Sequence, residues 1–356
     1  MISPNGSHGE TVVAVDAMGG DHAPDEVVQG ALEARRLGAR VVLVGCADAV
    51  EGRLQALGET LPLAPAPDVI GMDEPVTSAL RRRQSSLKVA ADLVAQGEAD
   101  AVVSCGNSAA IYFFAYSIWG TQPGIDRPAF GGMLMTRGGP VFLLDIGANT
   151  SVKSSNLVQF AIMGDTYMRV SRGLTAPRIG LLSNGTEDSK GTKEVKEANQ
   201  CLRRLGDMNF VGNVEGSQIF EGVADVVVCD GFAGNVLLKG GEAVAAEIFD
   251  LLRAEVSKGL ISRIAAAALR PAFRRIKRQL DYEEYGGAPV LGVNGVMVNC
   301  HGRSRAKAVT NAILLAQQMA REGLVDRIGE ALYQENLQSV GTTRRIARAL
   351  HLRHAD

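Results

Sequence analysis

From Thr11 onward, short runs of β-branched residues alternate with longer stretches of helical periodicity. This alternation predicts successive βαβ units and a mainly parallel sheet that helices cover on both faces. Two helices are predicted at residues 87–94 and 157–170, where apolar side chains recur at helical spacing. The predicted strands are Val12 to Val15, Val41 to Val44, Ala101 to Ser104, Val141 to Leu144, Ile179 to Leu182, Val226 to Val228 and Val296 to Val298.

Polar turns follow five of these predicted strands. In an open parallel sheet such turns share the carboxyl edge, where ligands bind, so the pattern predicts one common polar crevice. Turn formation and helix capping alone also favour Gly, Asn and Asp at such positions. Here all five turns carry amide or carboxylate groups, and one also carries Lys190, which favours a ligand site. The turns are Asp16 to Pro24, Cys105 to Ala109, Asp145 to Thr150, Ser183 to Thr192 and Asp230 to Asn235.

The stretch Val226 to Lys239 is predicted to be a buried strand, a tight polar turn and the start of a helix. The free backbone N–H groups of a helix's first turn can hold a phosphate. No G-x-G-x-x-G, P-loop or G-x-S-x-G pattern occurs, which disfavours dinucleotide, Walker-type ATP and α/β-hydrolase chemistry. What remains is a site that positions an anion and stabilises negative charge without a covalent protein intermediate.

The overall composition narrows the possible partners. The 37 basic residues are matched by 39 acidic ones, so we expect no binding to nucleic acid. The five cysteines form no short pair, which suits a reducing cytoplasm, and neither His22 nor His301 has a second metal ligand at fixed spacing. We therefore predict neither a metal nor a cofactor. The polar start and the lack of a long apolar stretch predict neither a signal peptide nor a membrane span.

The segment from Lys258 to Leu280 is basic and contains no acidic residue. Pro271 is predicted to divide it into two short helices, each with an apolar stripe. A helix of this kind is typical of surfaces that bind anionic lipid or an acidic protein. Packing of the apolar face on the protein's own core or on a second subunit is the alternative, and both can hold at once. The basic residues are Lys258, Arg263, Arg270, Arg274, Arg275, Lys277 and Arg278.

Several of these stretches together resemble a known family, the bacterial acyl-carrier-protein:phosphate acyltransferases (PlsX). The resemblance extends from about Val12 to Ile328. The matching motifs are Val15-Asp-Ala-Met-Gly-Gly-Asp-His-Ala-Pro24, Ala99-Asp-Ala-Val-Val103, Pro123-Gly-Ile-Asp-Arg-Pro128, Asp145-Ile-Gly-Ala-Asn149, Gln159-Phe-Ala-Ile-Met-Gly164, Val211-Gly-Asn-Val-Glu-Gly216, Ala224-Asp-Val-Val-Val-Cys-Asp-Gly-Phe232 and Asp281-Tyr-Glu-Glu-Tyr-Gly-Gly-Ala-Pro289.

The resemblance implies a Rossmann-like three-layer α/β sandwich of the isopropylmalate-dehydrogenase and phosphotransacetylase type. It implies a homodimer in the cytoplasm, attached peripherally to an anionic membrane surface, in which inorganic phosphate attacks the thioester of a fatty acyl-carrier protein. We expect one large core at 11–329, with 257–281 as an inserted helical hairpin. A tail at 330–356 is either disordered or adds membrane affinity. A phosphotransacetylase acting on acyl-CoA and a non-catalytic membrane scaffold remain alternatives.

The same resemblance implies roles for individual residues. It implies that Lys190 and Asn235 are catalytic, and we hypothesise that Lys190 neutralises phosphate charge while the Asn235 amide orients phosphate or the acyl carbonyl. The basic residues expected to bind carrier or membrane are Arg263, Arg270, Arg274, Arg275, Lys277 and Arg278. The residues expected to bind phosphate or the acyl group are Asp16, Gly19, Gly20, Asn107, Ser108, Asn149, Gly191, Asp230 and Gly234, of which Asp230 orders its turn or orients Lys190.

Overall fold

The computed structural model describes residues 11–259, 262, 268–273 and 286–335. All seven predicted strands are present, together with four that the sequence pattern did not predict. The strands are β1 (Val12–Asp16), β2 (Arg40–Gly45), β3 (Leu63–Pro65), β4 (Ala101–Ser104), β5 (Ala129–Thr136), β6 (Gly139–Leu144), β7 (Ile179–Leu182), β8 (Phe210–Val214), β9 (Val226–Val228), β10 (Ala288–Leu291) and β11 (Val296–Asn299).

Helices connect most of these strands, and both predicted helices are confirmed within α4 and α6. Residues 324–335 are also helical. The bounds are α1 (Asp25–Arg36), α2 (Ala47–Leu57), α3 (Val76–Ala79), α4 (Ser86–Ala95), α5 (Ser108–Trp119), α6 (Ser154–Arg172), α7 (Lys193–Leu202), α8 (Gly216–Glu221), α9 (Gly231–Ser257) and α10 (Ala306–Arg321).

The strands form a single sheet in the order β3-β2-β1-β4-β11-β10-β5-β6-β9-β7-β8. The group β3, β2, β1, β4 and β11 pairs in parallel, and so does the group β6, β9, β7 and β8. Between the two groups, β11 with β10, β10 with β5 and β5 with β6 are antiparallel pairs. The sheet is therefore mainly parallel, as the sequence predicted.

The prediction that all five polar turns share one carboxyl edge is wrong. Three successive antiparallel pairings reverse the chain direction between β11 and β6. The turns after β1 and β4 consequently lie where one set of strand ends meets, which we call the first edge of the sheet. The turns after β6, β7 and β9 lie at the opposite strand ends, which we call the second edge.

Alternate side chains along the strands enter different hydrophobic clusters. In β1, Val13 and Val15 pack in a cluster with α1, α6 and α10, whereas Ala14 packs on the other face with α4 and α5. In β9, Val227 joins a further cluster on that second face. A sheet buried on both sides by helices is a three-layer α/β sandwich, so the predicted architecture is confirmed.

The segment predicted as a basic hairpin is described only in part. Helix α9 continues to Ser257, and Arg270 is exposed. Residues 268–273 are helical without interruption, so the predicted break at Pro271 is wrong there; a proline weakens a helix by about 3 kcal/mol but does not always end it. The other basic residues proposed for this surface, Arg263, Arg274, Arg275, Lys277 and Arg278, lie outside the described residues.

At the carboxyl end, the helix at 324–335 includes the predicted start of the tail at Glu330, and Leu332 is buried in the core. The rest of that predicted tail lies outside the described residues. Among the helices that are described, none has the length and apolar character needed to span a membrane.

Candidate functional site

The turn after β6 is organised by the buried carboxylate of Asp145. The backbone N–H groups of Gly147, Ala148 and Asn149 donate to it over 3.0, 2.8 and 2.7 Å. The side-chain amide of Asn149 also donates to Asp145, over 2.9 Å, and to the carbonyl of Pro128, over 2.8 Å. Burial raises the pKa of the Asp145 carboxyl, and these hydrogen bonds act in the opposite direction. The turn is thus a fixed scaffold, and Asn149 is committed to it.

The start of α9 is bonded directly to that scaffold. Gly231 N–H donates to the Asn149 carbonyl over 2.7 Å, and the Asp230 side chain caps the helix by accepting from Ala233 N–H over 2.9 Å. The close contact explains Gly234, because a Cβ there would overlap the Asp145 carbonyl oxygen and lie 2.8 Å from Cys229 Sγ. Strand β9 and its helix are held against the turn after β6.

These contacts reduce the number of free backbone N–H groups at the start of α9, where an anion site is expected. Gly234 N–H donates to the Asp230 carbonyl, and the amides of Gly231 and Ala233 are bonded as described above. Among the first four residues of the helix, only the Phe232 amide has no hydrogen-bond partner in the described part of the chain. An anion at this edge therefore needs side-chain donors as well as backbone amides.

Asn235 is one such donor. It lies in the first turns of α9, beside Gly147, with its Oδ1 3.7 Å from where a Cβ of Gly147 would be. Its side chain is partly exposed, and its amide makes no hydrogen bond to any residue that the structure describes. Gly147 has φ +145°, a backbone conformation that favours glycine, so the open space next to Asn235 is maintained.

Lys190 lies in the turn after β7. Its side chain passes over Gly185, where a Cβ would lie 2.6 Å from Lys190 Cγ. Gly191 N–H donates to Asn184 Oδ1 over 2.9 Å, which closes the turn, and Gly191 has φ +90°. The Lys190 ammonium is exposed and forms no ion pair with the described residues. Strand β9 lies between β6 and β7, so the turns that carry Asn235 and Lys190 leave adjacent strands of the second edge.

The residues predicted on the first edge are committed to their own turns. Ser104 Oγ donates to the buried Asp16 carboxylate over 2.6 Å, and burial raises the pKa of that carboxyl. Gly19 packs against Asp16, and Gly20, at φ +100°, packs against Cys105. Asn107 caps α5 by accepting from two backbone N–H groups, and Asn299 Nδ2 donates to Ser108 Oγ over 2.8 Å. The structure does not bring these five residues to the edge that carries Lys190 and Asn235.

Tyr112 of α5 connects the second edge to the helix that begins at the first. Its hydroxyl donates to the Pro128 carbonyl over 3.3 Å, the same oxygen that Asn149 contacts. Burial raises the pKa of Tyr112 to about 12, and the nearby charge of Asp145 acts in the same direction. Sequence reasoning missed Tyr112, because an aromatic residue in an apolar helix indicates core packing. It placed Asp145 in a polar turn of the predicted crevice but assigned it no role, although an Asp directly after a buried strand was a visible signal.

The described residues contain no group of three or more His, Cys, Asp or Glu side chains that could hold a metal ion. Groups without a hydrogen-bond partner among the described residues of the second edge include the Asn235 amide, the Lys190 ammonium, the Ser183 hydroxyl and the Phe232 backbone N–H. Such a set binds an anion or stabilises an oxyanion.

Comparison with known proteins gives consistent matches over most of the chain. The profile of a family described as "Fatty acid synthesis protein" matches residues 11–327. A phosphate acyltransferase of Geobacter sulfurreducens is 44% identical over 328 residues, covering 91% of this chain and 94% of its own. A phosphate acyltransferase of Nostoc punctiforme is 45% identical over 322 residues, covering 89% and 95%.

Solved structures share the fold at low identity. A phosphotransacetylase from Streptococcus pyogenes superposes with a TM-score of 0.61 at 19% identity, covering 87% of this chain and 94% of its own. A 4-hydroxythreonine-4-phosphate dehydrogenase from Klebsiella pneumoniae has a TM-score of 0.51 at 14% identity, covering 88% and 100%. These two likenesses concern the fold alone, and they agree with the predicted Rossmann-like sandwich.

Proposed function

This chain belongs to the phosphate acyltransferase family, and on that premise we propose that it transfers a long-chain fatty acyl group from acyl-carrier protein to inorganic phosphate. A phosphate oxygen attacks the thioester carbon and forms a C–O bond. The tetrahedral intermediate then collapses, the C–S bond breaks, and the electron pair leaves on sulfur, which takes up a proton from solvent. The products are an acyl phosphate for phospholipid synthesis and free carrier.

The observation that carries this proposal is the pair of uncommitted polar groups on adjacent strands of the second edge. Lys190 supplies a positive charge for phosphate, and the Asn235 amide supplies a hydrogen bond to phosphate or to the acyl oxygen as it becomes an oxyanion. Phosphate is already an anion at neutral pH, so it needs no general base. Asp145, Asn149 and Asp230 are positioning residues in this mechanism: Asp145 and Asn149 fix the turn after β6, Asp230 caps α9, and Gly231 N–H joins the two by donating to the Asn149 carbonyl.

Charge supports a protein carrier as the acyl donor. The seven basic residues between 258 and 280 suit an acidic carrier protein or an anionic membrane surface. Helix α9 leads into this segment and has a stripe of exposed apolar side chains, which suits the further proposals of a homodimer and of peripheral membrane contact. These side chains are Phe232, Val236, Val244, Ile248, Leu251 and Leu252.

Turnover of two donors at equal concentration tests the choice of carrier. Hexadecanoyl acyl-carrier protein and hexadecanoyl-CoA are each incubated with the purified protein and phosphate, and acyl phosphate is trapped as the hydroxamate. We expect kcat/KM to be at least about tenfold higher for the carrier protein, because charge attraction raises the association rate. Preference for CoA would identify a phosphotransacetylase, and no acyl phosphate from either donor would favour the non-catalytic scaffold.

A further inference from the structure

A cavity of about 490 Å³ lies between β5, α8 and α9, on the side of α9 that carries Asn235. Its volume falls within the range of about 300 to 1,000 Å³ that is usual for small-molecule sites. The wall is mainly apolar, although Ser217, Thr136 and three charged residues also contribute. Its apolar side chains are Met133, Leu134, Met135, Phe220, Leu238 and Ala245.

The helical geometry of α9 aligns this cavity with the proposed reaction centre. Leu238 and Ala245 follow Asn235 by three and ten residues, so they share its face of the helix. Glu242 follows Asn235 by seven residues and is exposed, so its carboxylate can remain in water beside the path. The exposed stripe that begins with Phe232 and Val236 lies on a different face. A chain that starts at Asn235 can thus follow one face of α9 into the cavity.

The turn after β6 connects the two regions. Ile146 packs against the apolar cluster that contains Leu134, a residue of the cavity wall, together with Leu238. The next residue, Gly147, lies beside the Asn235 side chain. Apolar surface therefore continues from Asn235 through Ile146 to the cavity wall.

The far end of the cavity is charged. Arg137 directly follows β5, and Glu221 ends α8 against the turn between β5 and β6, where a Cβ on Gly138 would lie 2.8 Å from the Glu221 carbonyl oxygen. That turn is at the opposite end of β6 from Asp145. An apolar ligand that enters from Asn235 therefore ends at a polar boundary, which limits its length.

We propose that this cavity binds the hydrocarbon chain of the acyl donor, with the thioester at Asn235 and the methyl end near Ala245. This inference rests on the proposed function. At a rise of about 1.5 Å per residue, Ala245 lies about 15 Å along the helix from Asn235. An extended hydrocarbon advances about 1.3 Å per carbon, given C–C bonds near 1.5 Å, so the path accommodates about twelve carbons before the charged boundary. The cavity thereby favours acyl chains that fill this path over shorter ones.

Gly241 provides a selective test, because it lines the cavity and a Cβ there would meet no atom of the described chain within 4 Å, apart from its own helix backbone. In Gly241→Leu the new side chain enters the path about 9 Å from Asn235, at about 1.5 Å per residue. We expect the ratio of dodecanoyl to octanoyl kcat/KM to fall at least about tenfold, since each methylene that loses its apolar site costs roughly fourfold. The matched control is Gly240→Leu, which has the same open surroundings but does not line the cavity; it leaves the ratio unchanged.

Calorimetry with dodecanoyl phosphonate, an analogue of the acyl phosphate, gives a readout that does not need turnover. Weaker binding to Gly241→Leu than to Gly240→Leu supports the proposal. The proposal would be overturned if Gly241→Leu lowered kcat/KM equally for the longer and the shorter acyl donor, or changed neither. A changed oligomeric state in Gly241→Leu alone would also overturn it, because the cavity would then be a subunit contact. If the unmodified protein forms no acyl phosphate from either acyl chain length, the proposed function fails. The calorimetry alone then decides whether the cavity binds an acyl chain.

Discussion

Lys190→Ala is expected to lower kcat for acyl phosphate formation by about a hundredfold to a thousandfold, the usual cost of removing one group that stabilises transition-state charge. The ammonium is exposed and has no ion-pair partner in the described part of the chain. Its loss should therefore change the free energy of unfolding by no more than about 0.5 kcal/mol. Steady-state turnover and urea unfolding of the purified variant measure the two effects separately.

Lys193→Ala is the matched control for this substitution. Lys193 lies three residues further along, with 82% of its side chain exposed, and it forms a long 3.8 Å ion pair with Glu197. An exposed pair of this kind contributes little to stability, so this variant should retain full turnover and the same unfolding midpoint. Equal turnover in the two variants would exclude Lys190 from the reaction.

Gly234→Ala is expected to destabilise the protein by about 4 kcal/mol or more, because the added Cβ overlaps the Asp145 carbonyl oxygen, which is backbone and cannot move aside cheaply. Such a loss is a large fraction of the stability of a typical domain. Turnover should fall as well, since Asn235 is the next residue and its position depends on the same close approach. Thermal or urea unfolding measures the change.

Gly240→Ala is the control in the same helix. It separates the effect of the close contact on stability from the effect of helix propensity. A Cβ at Gly240 would meet no described atom within 4 Å beyond its own helix. Replacing glycine by alanine inside a helix stabilises it by about 0.5 to 1 kcal/mol, so the unfolding midpoint should rise slightly. If both variants unfold at the midpoint of the unmodified protein, the packing of α9 on the turn after β6 is not as described.

Strands with β-branched runs were predicted well from the sequence. For β4, β7 and β9 the predicted bounds agree with the structure, because each is short, apolar and followed by turn residues. The missed strands lack this signal. Strand β5 contains Gly131 and Gly132, β8 contains Gly212, and β10 contains Pro289, all residues that are unusual in strands.

The failure to predict β5 and β10 also explains why all five polar turns were assigned to one edge of the sheet. All three antiparallel pairings involve one of these two strands. Without them, the remaining strands imply a uniformly parallel sheet with every turn on one side. The pattern of a strand indicates its position in the sheet but not its direction, so Asp16 and Asn107 were grouped with residues of the opposite edge.

Within the second edge, the sequence identified polar residues but not which of them are already bonded. Asn149, Asp230 and Asn235 are equally polar in the sequence, yet Asn149 and Asp230 hold backbone and side-chain partners while Asn235 has none among the described residues. Only the contacts distinguish a positioning residue from a group that can bind substrate.

Phosphate dependence of thiol release tests whether phosphate is the acyl acceptor. The purified protein is incubated with hexadecanoyl acyl-carrier protein at increasing phosphate concentration, while free carrier thiol and acyl phosphate are measured together. We predict that thiol release saturates with phosphate and that one acyl phosphate forms for each thiol. Thiol release at the same rate without phosphate, with free fatty acid as the product, would contradict it.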